Sequence, residues 1–381
     1  MFGRKVRAYA LIAICFSMLS CDGLSSAHQA WATTLAPGTI VVGVSDNPQQ
    51  VANPDTRLIA VDPTTGSTSV LSGDAIGTGP SLTFDASSGG SNIRYISQQN
   101  DGSLLVVDNQ SAVNALSQYE SRLYRVDPNT GNRSLIADIT SSTDSGVINA
   151  ARQVGNTIFA TTKGGLETID PTTGVVTPFA ITGIDTVEPL YGFASLGTDL
   201  YVGSNFPALY KISAVTGAAS ILSSSTVGTG PTISPADLSF DSAGNLYALG
   251  LSSTSQGDNS SYFGIYRIDP ATGDRVAVSE TFDPTPTQPT GTPVIGSGPV
   301  LQSLAITTAD NGAILAINYT GALLSIDPTT GNRTLVSQVE NKAYPVAVAS
   351  GIVVLHDVPE PSTLMLAALG GLALLAIRRR R

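Results

Sequence analysis

Hydrophobic and polar positions alternate in short runs along the middle of the chain, and one such run recurs. An apolar strand followed by D-P-x-T-G, then by a second strand, occurs at 58–66 (LIAVDPTTG), 123–131 (LYRVDPNTG) and 166–174 (LETIDPTTG). Three more copies follow at 209–217 (LYKISAVTG), 265–273 (IYRIDPATG) and 323–331 (LLSIDPTTG). Alternation with a period of two, punctuated by Gly and Pro, predicts strands joined by tight hairpins. Another strand is predicted before each copy, at 39–44 (TIVVGV), 103–108 (SLLVVD), 157–162 (TIFATT), 199–203 (DLYVG), 245–250 (NLYALG) and 313–318 (AILAIN). A third comes after each copy, as at 133–137 (RSLIA) and 333–337 (RTLVS), and a fourth lies upstream in several units, as at 236–240 (ADLSF) and 302–306 (QSLAI).

The aligned Asp positions are separated by 65, 43, 43, 56 and 58 residues. Four strands in a unit of that length make a propeller blade rather than a solenoid repeat. Six such units closing into a ring would leave no long exposed sheet edge, so the fold class expected is all-β, a six-bladed β-propeller. The first unit lacks an inner strand, while the chain supplies a spare one at 345–349 (PVAVA); joining both ends of the repeat in one blade would lock the ring. A further run at 352–355 (IVVL) leaves a seven-bladed ring as the alternative. Two Gly-, Ser- or Pro-rich stretches, 72–99 and 282–299, interrupt the period and read as loops on a propeller face.

The chemistry of D-P-x-T-G accounts for its recurrence. Asp accepts backbone N–H bonds at the head of the turn, Pro presets φ, and Gly takes the left-handed conformation that closes the hairpin. Six calcium loops are excluded, because each copy offers one carboxylate where calcium takes roughly six to eight oxygens. The L-Y-x-I-D-P-x-T-G segments resemble those of several bacterial propeller families. The tryptophan of quinoprotein repeats is missing, since Trp31 is the only one and lies near the N-terminus.

Both ends differ from the middle. Arg4, Lys5 and Arg7 precede an apolar run from Ala8 to Leu19, and Ala30-Trp31-Ala32 supplies a small-x-small cleavage pattern. This predicts a signal peptide over 1–32, cut after Ala32; the competing reading takes Cys21 as the acylated N-terminus of a lipoprotein. At the other end Val358-Pro359-Glu360-Pro361-Ser362 leads into an apolar stretch reaching Ile377 and then Arg378, Arg379, Arg380 and Arg381. The two prolines keep the triplet out of helix and sheet, leaving extended backbone that a processing enzyme can grip. An apolar helix over 362–377 with four arginines on the cytoplasmic side would hold the acidic domain outside. This tail, 358–381, closely resembles the PEP-CTERM sorting signal. The resemblance implies that an exosortase, an integral membrane enzyme, recognises Pro359, Glu360 and Pro361 and processes the tail of an exported protein in a bacterium that makes exopolysaccharide.

Composition narrows the chemistry. Of 19 basic and 29 acidic residues, seven and two fall in the two ends, leaving 12 against 27 and a net charge of −15 for the domain at 33–357. Such a surface repels phosphate backbones, which excludes a nucleic-acid partner. Cys15 and Cys21 both lie in the export segment, so the mature chain has no disulfide or thiolate chemistry. His28 leaves with the signal, and His356 alone cannot furnish a histidine metal site or a Ser-His-Asp triad. No cofactor is expected.

Propeller ligands usually sit at the mouth of the central channel. The carboxylates on turns that lead there are Asp85, Asp101, Asp237, Asp241 and Asp310. If three or four converged they could hold a divalent metal for a hydrolase of the propeller lactonase type; as ordinary hairpin residues they would stay apart. The leading expectation is a non-enzymatic binding or structural propeller at the cell surface or in the extracellular matrix. Its partners would be extracellular polysaccharide or surface proteins, suited by neutral hydrogen bonding and tyrosine stacking.

Overall fold

The recurring runs form strands, and the strands group in fours. The structure, a computed structural model, describes residues 35–46, 55–82, 91–110, 118–142, 146–184, 189–204, 206–253, 261–282, 295–301, 303–318, 321–339 and 347–357. All of these belong to one compact unit, Ala32–Arg381.

Blade 1 begins with β1 (Ile40–Asp46), β2 (Thr56–Val61) and β3 (Thr68–Ser72). Blade 2 comprises β4 (Ser91–Gln98), β5 (Leu104–Gln110), β6 (Tyr119–Val126) and β7 (Arg133–Ser141); blade 3, β8 (Ile148–Val154), β9 (Thr157–Thr162), β10 (Gly165–Ile169) and β11 (Val176–Pro178). Blade 4 is β12 (Leu190–Leu196), β13 (Asp199–Ser204), β14 (Ala208–Ser213) and β15 (Ala219–Ser224). Blade 5 continues as β16 (Thr232–Phe240), β17 (Leu246–Ser253), β18 (Ser261–Ile268) and β19 (Arg275–Phe282), and blade 6 as β20 (Ser303–Thr308), β21 (Ile314–Asn318), β22 (Ala322–Ile326) and β23 (Arg333–Gln338). The last strand, β24 (Ala347–Val354), returns to pair antiparallel with β1, giving blade 1 the order β24-β1-β2-β3. The protein is therefore a six-bladed propeller whose first blade is made from both ends of the repeat. The runs at 345–349 and 352–355 do not found a seventh blade, because their described residues form one strand bulged opposite Gly43 and Val44.

The second strand of a blade has a neighbouring blade over each face, so both sets of its side chains are covered. Hence β1 is buried at every residue, as is β21, and their sequences open on continuous apolar runs, IVVGV and ILAI. The core is correspondingly spread between blades. One cluster joins Leu105, Ile158 and Phe193 of blades 2, 3 and 4, and another joins Val42, Ile59, Ile317 and Ile352 of blades 1 and 6.

The D-P-x-T-G hairpins have the expected turn chemistry. Asp62 Oδ1 accepts from the backbone N–H groups of Thr64 (2.7 Å) and Thr65 (3.1 Å), and the same bonds hold its carboxyl below the usual range. In the degenerate copy Ser213 Oγ accepts from the N–H groups of Val215 and Thr216, both at 3.3 Å. A hydroxyl thus replaces the carboxylate without loss of the turn.

These hairpins also join the blades. A bulge in the outer strand at Leu71, Ile136, Leu222, Val278 or Val336 brings that residue's carbonyl against the turn glycine of the next blade. At Gly131, with φ of 69°, a Cβ would overlap the Leu71 carbonyl oxygen. The serine after the bulge completes the joint: Ser72 Oγ donates to Gly131 O (2.7 Å), and Ser279 Oγ to Gly331 O (2.8 Å).

At three of the joints an arginine just after the turn is caged by the preceding blade. Arg133 Nε donates to Pro80 O (2.8 Å), and its Nη1 to Ser72 Oγ (2.8 Å), Gly73 O and Ile76 O (both 2.9 Å). Arg275 makes the equivalent bonds to Pro231 O (2.6 Å), Ser223 Oγ and Val227 O (2.9 Å), and Arg333 to Pro299 O (2.7 Å), Ser279 Oγ (2.6 Å) and Ile295 O (3.0 Å). The cages are built by IGTGP at 76–80, VGTGP at 227–231 and IGSGP at 295–299. This corrects the expectation that 72–99 and 282–299 are merely face loops. Each contains an arm pressed on the next blade, and the first also holds β4.

Candidate binding site in the channel

All six inner strands carry a bulge near the same level. The pairing slips between Ile93 and Tyr95 in β4, Ile148 and Ala150 in β8, Leu190 and Phe193 in β12, Pro235 and Asp237 in β16, Ser303 and Ala305 in β20, and Gly351 and Ala349 in β24. A bulge places one extra residue on the strand and re-aims its side chain. Four of the re-aimed residues, Arg94, Asn149, Tyr191 and Ala236, line one cavity of about 300 Å³ at a channel mouth. Leu249, Leu251 and Phe263 add an apolar wall.

Tyr95 closes this cavity off from a second one, of about 330 Å³, at the other end of the channel. Its ring lines both, and its hydroxyl crosses from blade 2 to donate to Phe193 O of blade 4 (2.7 Å). Burial pushes the Tyr95 hydroxyl up to about 12, with Arg152 opposing. Tyr95 therefore serves as a neutral donor.

Asp237 lies under the first mouth. Its Oδ1 accepts from Leu238 N and its Oδ2 from Ile306 N, both at 2.8 Å, tying blade 5 to blade 6. Burial pushes its carboxyl up to about 7, against the pull of the two N–H bonds, Arg94 and Arg152. The folded protein thus keeps this proton to a higher pH than the unfolded chain. Stability contributed here is accordingly greatest below about pH 4, falls as pH climbs towards 7 and is flat above. Thermal melts of the wild type and Asp237→Asn across that range should show the wild type losing about 1–4 kcal/mol relative to the variant. A constant difference would mean that the carboxyl titrates in the ordinary range.

Of the five carboxylates singled out in the sequence, the four that are described do not meet. Asp101 caps the β4–β5 turn, accepting from Ser103 N (3.0 Å), and Asp241 caps the β16–β17 turn, accepting from Ala243 N (3.0 Å) and Asn245 N (2.8 Å). Asp310 faces His356 Nδ1 at 2.9 Å, Asp237 is in the channel, and Asp85 lies outside the described residues. Among the described residues no three Asp, Glu, His or Cys side chains gather as metal ligands. Sequence reasoning missed Arg94, Tyr95, Asn149 and Tyr191. The one available signal was the broken alternation in I-R-Y-I and L-Y-G-F, which marks a bulge.

The chain leaves the ring beside the second cavity. Leu355 N donates to Thr39 O (2.9 Å), His356 N to Gln98 Oε1 (2.8 Å), and Gln98 Nε2 to His356 O (3.1 Å). His356 and Asp357 line that cavity, and the tail that departs from them is decisive, because residues 357–381 match the PEP-CTERM protein-sorting motif. The chain carries a PEP-CTERM signal. That motif marks an exported protein sorted to the cell surface and implies processing by an exosortase. Pro359, Glu360, Pro361 and the arginines at 378–381 lie outside the described residues, as do Ala30 and Ala32. Among the described residues no helix is long and apolar enough to cross a membrane.

No curated protein matches this PEP-CTERM chain. Solved structures are similar to it. TolB from Acinetobacter baumannii superposes with a TM-score of 0.51 at 13% identity, over 84% of this chain and 67% of that one. A candidate 6-phosphogluconolactonase from Bacteroides uniformis gives 0.44 at 11%, over 83% and 99%, and another from Bacteroides fragilis gives 0.44 at 13%, over 83% and 98%. At 13% identity the likeness to TolB is one of fold alone.

Proposed function

We propose that this PEP-CTERM protein is a non-enzymatic binding propeller of the polysaccharide-rich layer outside the cell. A signal peptide at 1–32 is removed after Ala32, the propeller domain spans 33–357, and the apolar helix of the tail at 358–381 holds the protein in the membrane. An exosortase acting at Pro359-Glu360-Pro361 then releases or transfers it. The observation that carries the binding reading is the first mouth, where bulged strands aim Arg94, Asn149 and Tyr191 into one cavity beside Phe263. The scattered aspartates favour this reading over a metal-dependent hydrolase.

Mass spectrometry of the protein from cell and medium fractions tests the sorting half. The expected mature chain begins at Thr33 and lacks the arginines at 378–381, and Glu360→Ala keeps the whole tail. An acylated N-terminus at Cys21, or an intact tail in every fraction of the wild type, would overturn the corresponding step. Binding of purified protein to a glycan array, with lactone hydrolysis monitored in the presence of divalent metal as the contrasting assay, tests the other half.

A further inference from the structure

We propose that the first mouth recognises a uronic acid residue, a sugar ring bearing one carboxylate, with Arg94 as the group that selects the charge. This rests on the binding function proposed above and specifies its ligand.

Arg94 is the bulge residue of β4, so its side chain enters the mouth instead of continuing the alternation of its strand. It is half-buried, and among the described residues no carboxylate forms an ion pair with it. The nearby Asp237 feels its charge but makes no ion pair or hydrogen bond with it; that carboxyl is engaged by Leu238 N and Ile306 N, and burial favours its neutral form. A guanidinium with unused donors is a planar fork matched to a carboxylate. It is set in a domain with 15 more acidic than basic residues, where a cation in a cavity stands out.

The rest of the cavity fits a sugar ring. Tyr191, Phe263, Leu249 and Leu251 offer apolar and aromatic surface to ring C–H groups, while Asn149 brings a neutral amide. Asn149 Nδ2 donates one of its two hydrogens to Leu190 O at 2.6 Å, which fixes the amide and sets its oxygen as an acceptor for a hydroxyl. At about 300 Å³ the cavity is at the small end for organic ligands, which suits one or two sugar rings rather than a buried chain. The opposite mouth is less suited to a polymer, since His356 and Asp357 cross its rim and the sorting tail departs there. The Arg94 mouth opens at the other end of the channel, away from that departure point.

The purified full-length protein in detergent is titrated by saturation-transfer NMR and calorimetry with glucuronate, an oligouronate, glucose and inorganic phosphate. Glucuronate should bind at least tenfold more tightly than glucose, with phosphate weaker than either, and Arg94→Gln should remove that preference while the melting temperature stays unchanged. Arg152→Gln, at the other cavity, should leave it intact. Tighter binding of the oligouronate would assign the natural ligand to a polymer, and equal binding to a free sugar acid. Equal affinity for glucuronate and glucose, an Arg94→Gln variant that still discriminates, or phosphate binding as tightly as glucuronate would overturn the assignment to a uronate. If neutral glycans bind and uronates do not, this inference fails while the binding function stands; if no glycan binds at all, both fail.

Discussion

A chain that stops at residue 346 will not close its ring, whereas one that stops after Asp357 will fold as the full chain does. The two differ by β24, which pairs with β1 through seven register partners from Ile40↔Val354 to Asp46↔Ala347. Without it the innermost position of blade 1 is vacant, and β1, buried at all seven residues, presents a bare apolar edge to the channel. Ile352, Val353, Val354 and Leu355 leave the clusters that join blade 1 to blades 6 and 2. Burial of such side chains is worth about 1.5–3 kcal/mol each, so the loss reaches the order of the whole stability of a typical domain, about 5–15 kcal/mol. The shorter chain should be aggregated or molten by size-exclusion chromatography and near-UV circular dichroism. A monomeric, cooperatively melting product would show that the ring does not depend on joining its ends. There is a consequence for sorting as well. The closing strand ends four residues before Val358, so the propeller becomes complete only when the chain has been exported up to its sorting motif.

The sequence was most legible where local chemistry repeats. D-P-x-T-G needs its Asp, Pro and Gly for the hairpin itself, so six copies announce six blades, and even Ser213 kept the turn recognisable. Inner strands were harder to see because each is bulged: the alternation of 148–154 (INAARQV) and 190–196 (LYGFASL) changes phase midway, which hides a strand from any rule of period two. The same bulges hid the candidate site. Arg94, between Ile93 and Tyr95, resembles a solvent-facing strand residue until the slip in register turns it into the channel. Asp237 was singled out correctly as a channel residue, but its partners, Leu238 N and Ile306 N, come from backbone whose approach no residue pattern records. The glycines of 76–80, 227–231 and 295–299 read as loop composition although they are there for close contact. At Gly79 and Gly298 a Cβ would overlap the carbonyl oxygens of Arg133 and Arg333.

Those contacts lead to the second large effect expected: Arg333→Ala should destabilise the propeller by about 3–5 kcal/mol, with only a fraction recovered in Arg333→Lys. Arg333 is 5% exposed; its guanidinium holds Pro299 O, Ser279 Oγ and Ile295 O from blade 5, while its backbone N–H donates to Ser297 O (2.7 Å). No carboxylate among the described residues balances the charge, and burial lowers the pKa of the group. Stability at this joint therefore comes from directed bonds to oxygens that, once abandoned, remain buried and unsatisfied. Lysine restores a charge but not the fork that reaches the Pro299 carbonyl and the Ser279 hydroxyl together. Pairs of substitutions separate this account from general loss of packing. Arg333→Ala and Gly298→Ala disrupt the same joint, so their effects in denaturant unfolding should overlap and sum to less than the separate costs. Arg333→Ala and Arg133→Ala act at joints between different blades, 5 with 6 and 1 with 2, and should add. Additivity in the first pair would mean that the arm and the arginine stabilise the ring independently, and the cage would then be only a coincidence of position.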